Sequence, residues 1–288
     1  MEFKKITIVG VGLIGGSLAR ALKASGKVDT VAGVDADEAT LRFAMENGFI
    51  DRGSTLVEEE APHADVVVVA THVSLIPRLA LRAASVLGSG EVLTDTGSVK
   101  GWIVEAIENA LPPGVEFVGG HPIAGREKEG VWHSDPLLFS GRLAIITKTP
   151  HTSGHAMEKV ARMWEAVGAR VSFLSPGEHD RIFAFVSHLP HAVAYALINA
   201  VTSENNPPDM MTYAGGGLND FTRIAESPPE MWRDIMLVNR NEVLYAVDRF
   251  KHSLERIEKA IARGDGDALL DELKAAATAK RGNPRRSK

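Results

Sequence analysis

The chain has no cysteine. Disulfides, thiolate nucleophiles and cysteine-bound metals are therefore excluded, and a reducing compartment fits without being required. It also lacks an excess of positive charge. Its 32 Lys and Arg face 37 Asp and Glu, for a net charge of −5, which gives no electrostatic footing for nucleic acid or an acidic membrane surface. No unbroken apolar run approaches the ~20 residues of a membrane span. The first strand candidate begins near Lys5, which leaves no room for a signal peptide. These absences point to a cytoplasmic globular protein. A length of 288 residues suits two domains, or one large one.

What is present, up to Pro176, is alternation. KKITIVG (residues 4–10), TVAGVDA (30–36), ADVVVVATH (64–72), EVLTDTG (91–97), VEFVGG (115–120), RLAIITKT (142–149) and ARVSFLS (169–175) read as strands. Residues 14–25, 37–47, 75–87, 99–110 and 153–167 read as helices. ADVVVVATH is apolar throughout its middle, as a strand buried on both faces should be. Strands alternating with helices predict a mostly parallel, doubly wound sheet. After Pro176 the strand signals stop. Residues 178–203, 208–226, 229–262 and 266–279 are helical in pattern, broken by GGGLND, SPP and RGDGD. SPGEHD reads as a hinge, with Ser175 and Pro176 ending a strand and Gly177 turning into a helix. The expected division is 1–176, 177–280 and a basic, disordered tail at 281–288.

Gly10-Val11-Gly12-Leu13-Ile14-Gly15 is GxGxxG. It follows a strand and opens a helix, and Asp35 falls 20 residues after Gly15 at the end of the second strand. Together these make a dinucleotide fingerprint of the Rossmann type. Gly10 makes the tight turn, Gly12 admits the pyrophosphate, and Gly15 lets helix and strand pack closely. The helix N-terminus, starting at Leu13 and Ile14, offers unpaired N–H groups to phosphate. The Asp35 carboxylate suits ribose hydroxyls and repels a 2′-phosphate, and no Arg follows it, so NAD is expected over NADP. Thr71, at the end of ADVVVVATH, is a further expected cofactor contact.

Ligands bind beyond the carboxyl ends of strands in such sheets. Two adjacent strands, EVLTDTG and VEFVGG, lead to Ser98 and His121. The expectation is a strand-end turn in which glycine supplies the dihedrals and Pro122 the rigidity. His121 then points into a cleft; the alternative is a structural loop histidine.

TDTGSVKG (94–101), GGHPIAG (119–125), SHLPHAVA (187–194), GGGLNDFTRIA (215–225) and MWRDI (231–235) follow one another in order across nearly the whole chain. In this the sequence resembles the prephenate/arogenate dehydrogenase family. The resemblance implies NAD-dependent oxidative decarboxylation of prephenate to 4-hydroxyphenylpyruvate, CO2 and NADH, a step of tyrosine biosynthesis. Arogenate or broad cyclohexadienyl dehydrogenation is the alternative, and a non-catalytic NAD-sensing dimer is the alternative of another class. The resemblance makes His121 the acceptor of the ring-hydroxyl hydrogen bond, with Ser98 orienting it. Arg223 would hold the side-chain carboxylate and His191 would read the keto-acid side chain, while His188 reads as structural. Gly216 gives backbone access to ligand, and Asp220 fixes the adjoining turn. Trp232 is either a core aromatic or a residue reaching into a partner's site. Glu127 is either a gating acid or solvated.

His188 and His191 also form HxxH, but no further ligands accompany them, so no metal is expected. Asn219 stands where many relatives have Lys, which weakens an ion-pair gate there. ATHVS (70–74) lacks a proline that many relatives carry. The chain leaves no room for an ACT domain or a fused chorismate mutase, so tyrosine is expected to inhibit competitively at the active site. The amphipathic helical half predicts a homodimer.

Overall fold

The computed structural model describes residues 2–125, 128–203 and 209–282. In chain order it runs β1 (Phe3–Val9), α1 (Leu13–Ser25), β2 (Val28–Val34), α2 (Glu38–Glu46), β3 (Arg52–Ser54), α3 (Val57–Glu60), β4 (Val66–Val69), α4 (Ile76–Ala84), β5 (Val92–Asp95), α5 (Gly101–Glu108) and β6 (Glu116–Val118). Then come β7 (Gly120–Pro122), β8 (Leu143–Thr147), α6 (Gly154–Ala166) and β9 (Arg170–Leu174). The rest is helical: α7 (Pro176–Phe183), α8 (Leu189–Val201), α9 (Gly216–Thr222), α10 (Pro229–Val238), α11 (Arg240–Arg263) and α12 (Gly266–Arg281).

Six strands form a parallel sheet in the order β3-β2-β1-β4-β5-β6. This is the doubly wound order in which the chain reverses direction between β1 and β4, opening a crevice at their carboxyl ends. Period-two alternation fills both faces. Val66 and Val68 pack with Leu18 and Trp164 on one side, and Val67 and Val69 with Ile103 and Trp232 on the other.

The structure corrects the sequence reading in four places. The strand β3 is absent from that reading because Arg-Gly-Ser has no apolar run. The last strands do not extend the parallel sheet. They form a separate sheet, β7-β8-β9, with β7 antiparallel to β8. SPGEHD is a capping box: the Ser175 hydroxyl accepts from Glu178 N, and the Glu178 carboxylate accepts from Ser175 N. Helix α7 therefore starts at Pro176, with Gly177 inside it. Finally, the helix expected over 229–262 breaks at Asn239, whose side chain is drawn inward to Asp180.

Two compact units are present, Met1–Arg240 and Asn241–Lys288. In the second, Arg256 Nε donates to Glu272 Oε1 at 2.7 Å, joining the two helices of a hairpin turned by Gly264. Leu254, Ile261, Leu270 and Leu273 are exposed there. In the first, the continuous helical run Pro176–Val201 is long and apolar enough, by length and composition, to cross a membrane. Counting unbroken apolar runs missed it because His179, Asp180, Arg181, His188 and His191 interrupt it.

Candidate active site

The glycine loop follows β1. Gly10 has φ +93° and sits against Ala70 and Thr71: a Cβ there would lie 2.5 Å from Ala70 O and 2.7 Å from the Thr71 methyl. At Gly15 a Cβ would fall 1.9 Å from Gly10 O, so only glycine allows this helix to start so close to the strand. At Gly12 a Cβ would meet no protein atom within 4 Å. The N-terminus of α1, from Leu13 through Ile14, has no side-chain cap and no acid in its first turn. An open space over uncapped helix N–H groups fits a pyrophosphate. Asp35 is already engaged: Oδ2 accepts from Val11 N at 2.8 Å and Oδ1 from Asp37 N at 3.0 Å. It thus fixes the glycine loop from the end of β2.

The second half of the site lies at the ends of β5 and β6. His121 is half-buried in β7, opposite Ile145 of β8. It sits inside a strand rather than on a turn. Neither Gly119 nor Gly120 has positive φ, so their role is space. A Cβ at Gly119 would lie 2.4 Å from Thr147 Oγ1, and one at Gly120 would lie 2.5 Å from Asp95 O. The pair lets the chain step from one sheet to the next against β5. Pro122 is tolerated because β7 is an edge strand.

Beneath His121 is a buried polar cluster that the sequence reading missed. Lys100 is fully buried; its ammonium pairs with Asp95 and donates to Gly120 O at 2.6 Å. Asp95 accepts from Gly97 N at 2.8 Å and Gly120 N at 3.0 Å. His121 Nδ1 lies 2.8 Å from His179 Nε2, and His179 Nδ1 lies 2.8 Å from Asp180 Oδ1. Asp180 also accepts from Lys100 N and Gly101 N, each at 2.7 Å. Phe183 covers His121 at 4.8 Å between ring centroids. Burial, reinforced by His179, Lys100 and His188, holds His121 well below the ordinary histidine range, so the ring is neutral. Burial also lowers His179, against the opposing pull of Asp180.

Ser98 is half-buried on the loop after β5, and among the described residues it shares no direct hydrogen bond with His121. The side chain hydrogen-bonded to His121 is that of His179. Ser98 instead backs onto His188, which is fully buried and pushed down to about 4, mainly by burial. Asn239 Nδ2 donates to Asp180 O at 3.0 Å and lies 3.1 Å from His188 Nδ1. His188 belongs to a π-helical segment, Ala184–His188, that joins α7 to α8. The two histidines of HxxH face one ring. Trp232 stacks on His191 at 3.4 Å and meets His188 edge-on at 6.1 Å. Trp232 is buried in its own chain, within the core of the parallel sheet.

His191 Nδ1 donates to Ser187 O at 2.9 Å. Helix α9, with Gly216 at its start and Asp220 exposed on it, packs on α8, as does the turn Arg223–Glu226. Arg223 is exposed. Glu127 lies outside the described residues. Among the described residues no three metal-ligating side chains converge. Two signals could have found the missed cluster: Lys100 inside the quoted TDTGSVKG, and the His179-Asp180 pair inside SPGEHD.

Comparison with known proteins places this geometry. The family model described as "Prephenate dehydrogenase, nucleotide-binding domain" matches residues 18–173, and "Prephenate dehydrogenase, dimerization domain" matches residues 175–275. The cyclohexadienyl dehydrogenase of Zymomonas mobilis is 35% identical over 94% of this chain and 93% of its own length. The prephenate dehydrogenase of A. aeolicus, solved with hydroxyphenyl propionate and NAD+, is 39% identical; the match covers 98% of each chain, with a TM-score of 0.91. An arogenate dehydrogenase from Synechocystis is 26% identical over 96% of this chain and 99% of its own, with a TM-score of 0.84. With a nucleotide cradle at the carboxyl edge of the parallel sheet, a neutral histidine on the strand beside it, and both family models matched in order, this chain belongs to the prephenate dehydrogenase family of oxidoreductases.

Proposed function

We propose that the chain catalyses the NAD-dependent oxidative decarboxylation of prephenate to 4-hydroxyphenylpyruvate, CO2 and NADH. The observation that carries this reading is His121, neutral by burial on a strand next to the sheet that bears the glycine cradle. Residues 1–176 form the nucleotide side and 177–280 the substrate and dimerisation side. Gly10, Gly12 and Gly15 seat the pyrophosphate on the α1 N-terminus, Thr71 flanks it, and Asp35 takes the ribose. NAD, when bound, supplies the hydride acceptor. His121 accepts the proton of the ring hydroxyl, which makes hydride departure from that carbon easier. Loss of CO2 then yields an aromatic ring without a strong base, and the ring oxygen takes the proton back from His121. Arg223 holds the side-chain carboxylate by paired bonds, and Gly216 and Asp220 shape the loop beside it. The A. aeolicus relative, solved with a hydroxyphenyl acid and NAD+ together, supports this pairing of ligands.

His191 favours a second reading. Its Nδ1–H is committed to Ser187 O, and burial keeps it neutral, so Nε2 offers a lone pair. A lone pair suits the ammonium of arogenate better than the keto oxygen of prephenate. The chain then uses both substrates, a reading in keeping with a Zymomonas relative named as a cyclohexadienyl dehydrogenase. The test is NADH or NADPH formation from prephenate and from arogenate, each with NAD and with NADP. Turnover of prephenate with NAD is expected. No turnover of prephenate overturns the first reading, and none of arogenate overturns the second. Comparable kcat/KM for the two cofactors overturns the role of Asp35.

Exposed apolar side chains on the helical side, Ile182 and Val186 among them, support a homodimer; light scattering that gives a monomer contradicts it. Tyrosine, which shares the 4-hydroxyphenyl group of the product, is expected to compete with prephenate. Inhibition that excess prephenate does not relieve counts against that.

A further inference from the structure

Two imidazole rings and one carboxylate form a directed chain across the boundary between β7 and α7. Asp180 is its fixed end. Both carboxylate oxygens receive N–H donors, from Lys100 and Gly101 at the start of α5 and from the neighbouring histidine. An oxygen so used can only accept, so His179 must carry its proton on Nδ1. Its Nε2 is then bare. The atom 2.8 Å away is His121 Nδ1, which must therefore be the donor. The remaining nitrogen of His121, Nε2, is left with its lone pair. Packing holds the arrangement in place: His179 is fully buried, its ring lies 4.5 Å from Phe183, and Phe183 also covers His121.

We propose that His179, anchored by Asp180, is the positioning residue that locks His121 in the tautomer whose Nε2 accepts the substrate hydroxyl proton. The idea rests on the proposed role of His121 in hydride-transfer chemistry, but the tautomer itself does not depend on the substrate. Without His179 the neutral His121 ring is free to place its proton on Nε2, and it then meets the hydroxyl as a donor. When His121 does accept a proton, its Nδ1–H bond to His179 becomes charge-assisted, and the Asp180 carboxylate lies one ring further on. The other charged or titratable groups facing the pair are Asp95 at the end of β5, Lys100 at the start of α5, and His188 on the π-helical segment. None of them bonds a nitrogen of His121.

The test combines ring spectroscopy with two variants of the full chain. In histidine 15N-labelled wild type, His121 is assigned by its loss in His121→Asn. The expected spectrum has a protonated Nδ1 and a bare Nε2. His179→Phe removes the acceptor, so the His121 signals should shift toward the other tautomer. Its kcat should fall about 100-fold or more, because one wrongly placed imidazole proton costs general-base catalysis orders of magnitude, while KM and NAD affinity stay within about threefold. His179→Gln offers an oxygen to His121 and an N–H to Asp180, so it should stay within about tenfold of wild type. A bare Nδ1 in wild type overturns the proposal. So does His179→Phe with unchanged kcat, or His179→Gln as impaired as His179→Phe. Should neither prephenate nor arogenate yield NADH, the functional reading falls, while the 15N spectrum still decides the tautomer.

Discussion

The glycine cradle and the histidine cluster lie at the carboxyl ends of neighbouring strands of the parallel sheet but are made of opposite materials. The cradle works by lacking side chains. Gly10, Gly12 and Gly15 leave room, uncapped N–H groups of α1 face that room, and one nearby carboxylate, Asp35, braces the loop. The cluster works by crowding side chains into a buried place. Lys100, Asp95, His121, His179, Asp180, His188 and Asn239 come from five separate segments and satisfy one another almost completely. The first arrangement tolerates the loss of its ligand because water can solvate open N–H groups. The second does not tolerate the loss of a member, because each loss strands a buried polar partner.

Substitutions can break this comparison, and the largest effect is expected at the end of the cluster that meets substrate. His121→Asn should lower kcat by about 10²–10⁴-fold, the usual range for a lost general base, with NAD affinity unchanged by titration calorimetry. Next is Lys100→Met. It leaves the Asp95 carboxylate buried without its cation, which typically costs about 3–5 kcal/mol and should appear as a large drop in denaturation midpoint. Stability equal to wild type would show that Asp95 is held by its backbone donors alone. Arg223→Ala, on the exposed turn after α9, should raise KM for prephenate about 30-fold, as expected for losing one partner of a charged pair at about 2 kcal/mol, and should leave the melting temperature alone. An unchanged KM removes Arg223 from the site.

The smallest effects separate Gly12 from Gly15 in the cradle. A Cβ at Gly12 meets no protein atom, so Gly12→Ala should keep its stability and lose NAD affinity. A Cβ at Gly15 collides with Gly10 O, so Gly15→Ala should lose affinity and about 1–3 kcal/mol of stability as well. Equal melting temperatures for the two variants would contradict the packing role of Gly15.

The same contrast explains what could be read from the sequence. The cradle is local: six residues and one acid 20 positions on, with a spacing that physics dictates. The parallel sheet was legible for a similar reason, since strands such as VVVV at 66–69 announce two-sided burial. His121 stood out by its glycines, but those glycines serve a crossing between sheets rather than a turn. That crossing depends on β8 and on Thr147, far along the chain, so no local pattern could show it. Ser98 was expected to orient His121. The side chain hydrogen-bonded to His121 in the structure, His179, lies 58 residues away in a segment that read as a hinge. Trp232 could not be placed from its sequence surroundings, because stacking on His191 depends on how α10 packs beneath α8. Buried polar networks are specified by tertiary contacts, and a single sequence displays only their members.

The pH dependence of turnover tests the central claim most directly, since the account requires His121 to be neutral because it is buried. A folded-state value below the ordinary histidine range means that the base is lost only as pH falls through that lowered value. The decisive measurement is kcat/KM for prephenate with saturating NAD as a function of pH. The expected profile is flat through neutral pH, with an acid limb well below the ordinary histidine value that disappears in His121→Asn. An acid limb at or above that ordinary value, or one that persists in His121→Asn, contradicts a buried neutral His121 as the proton acceptor.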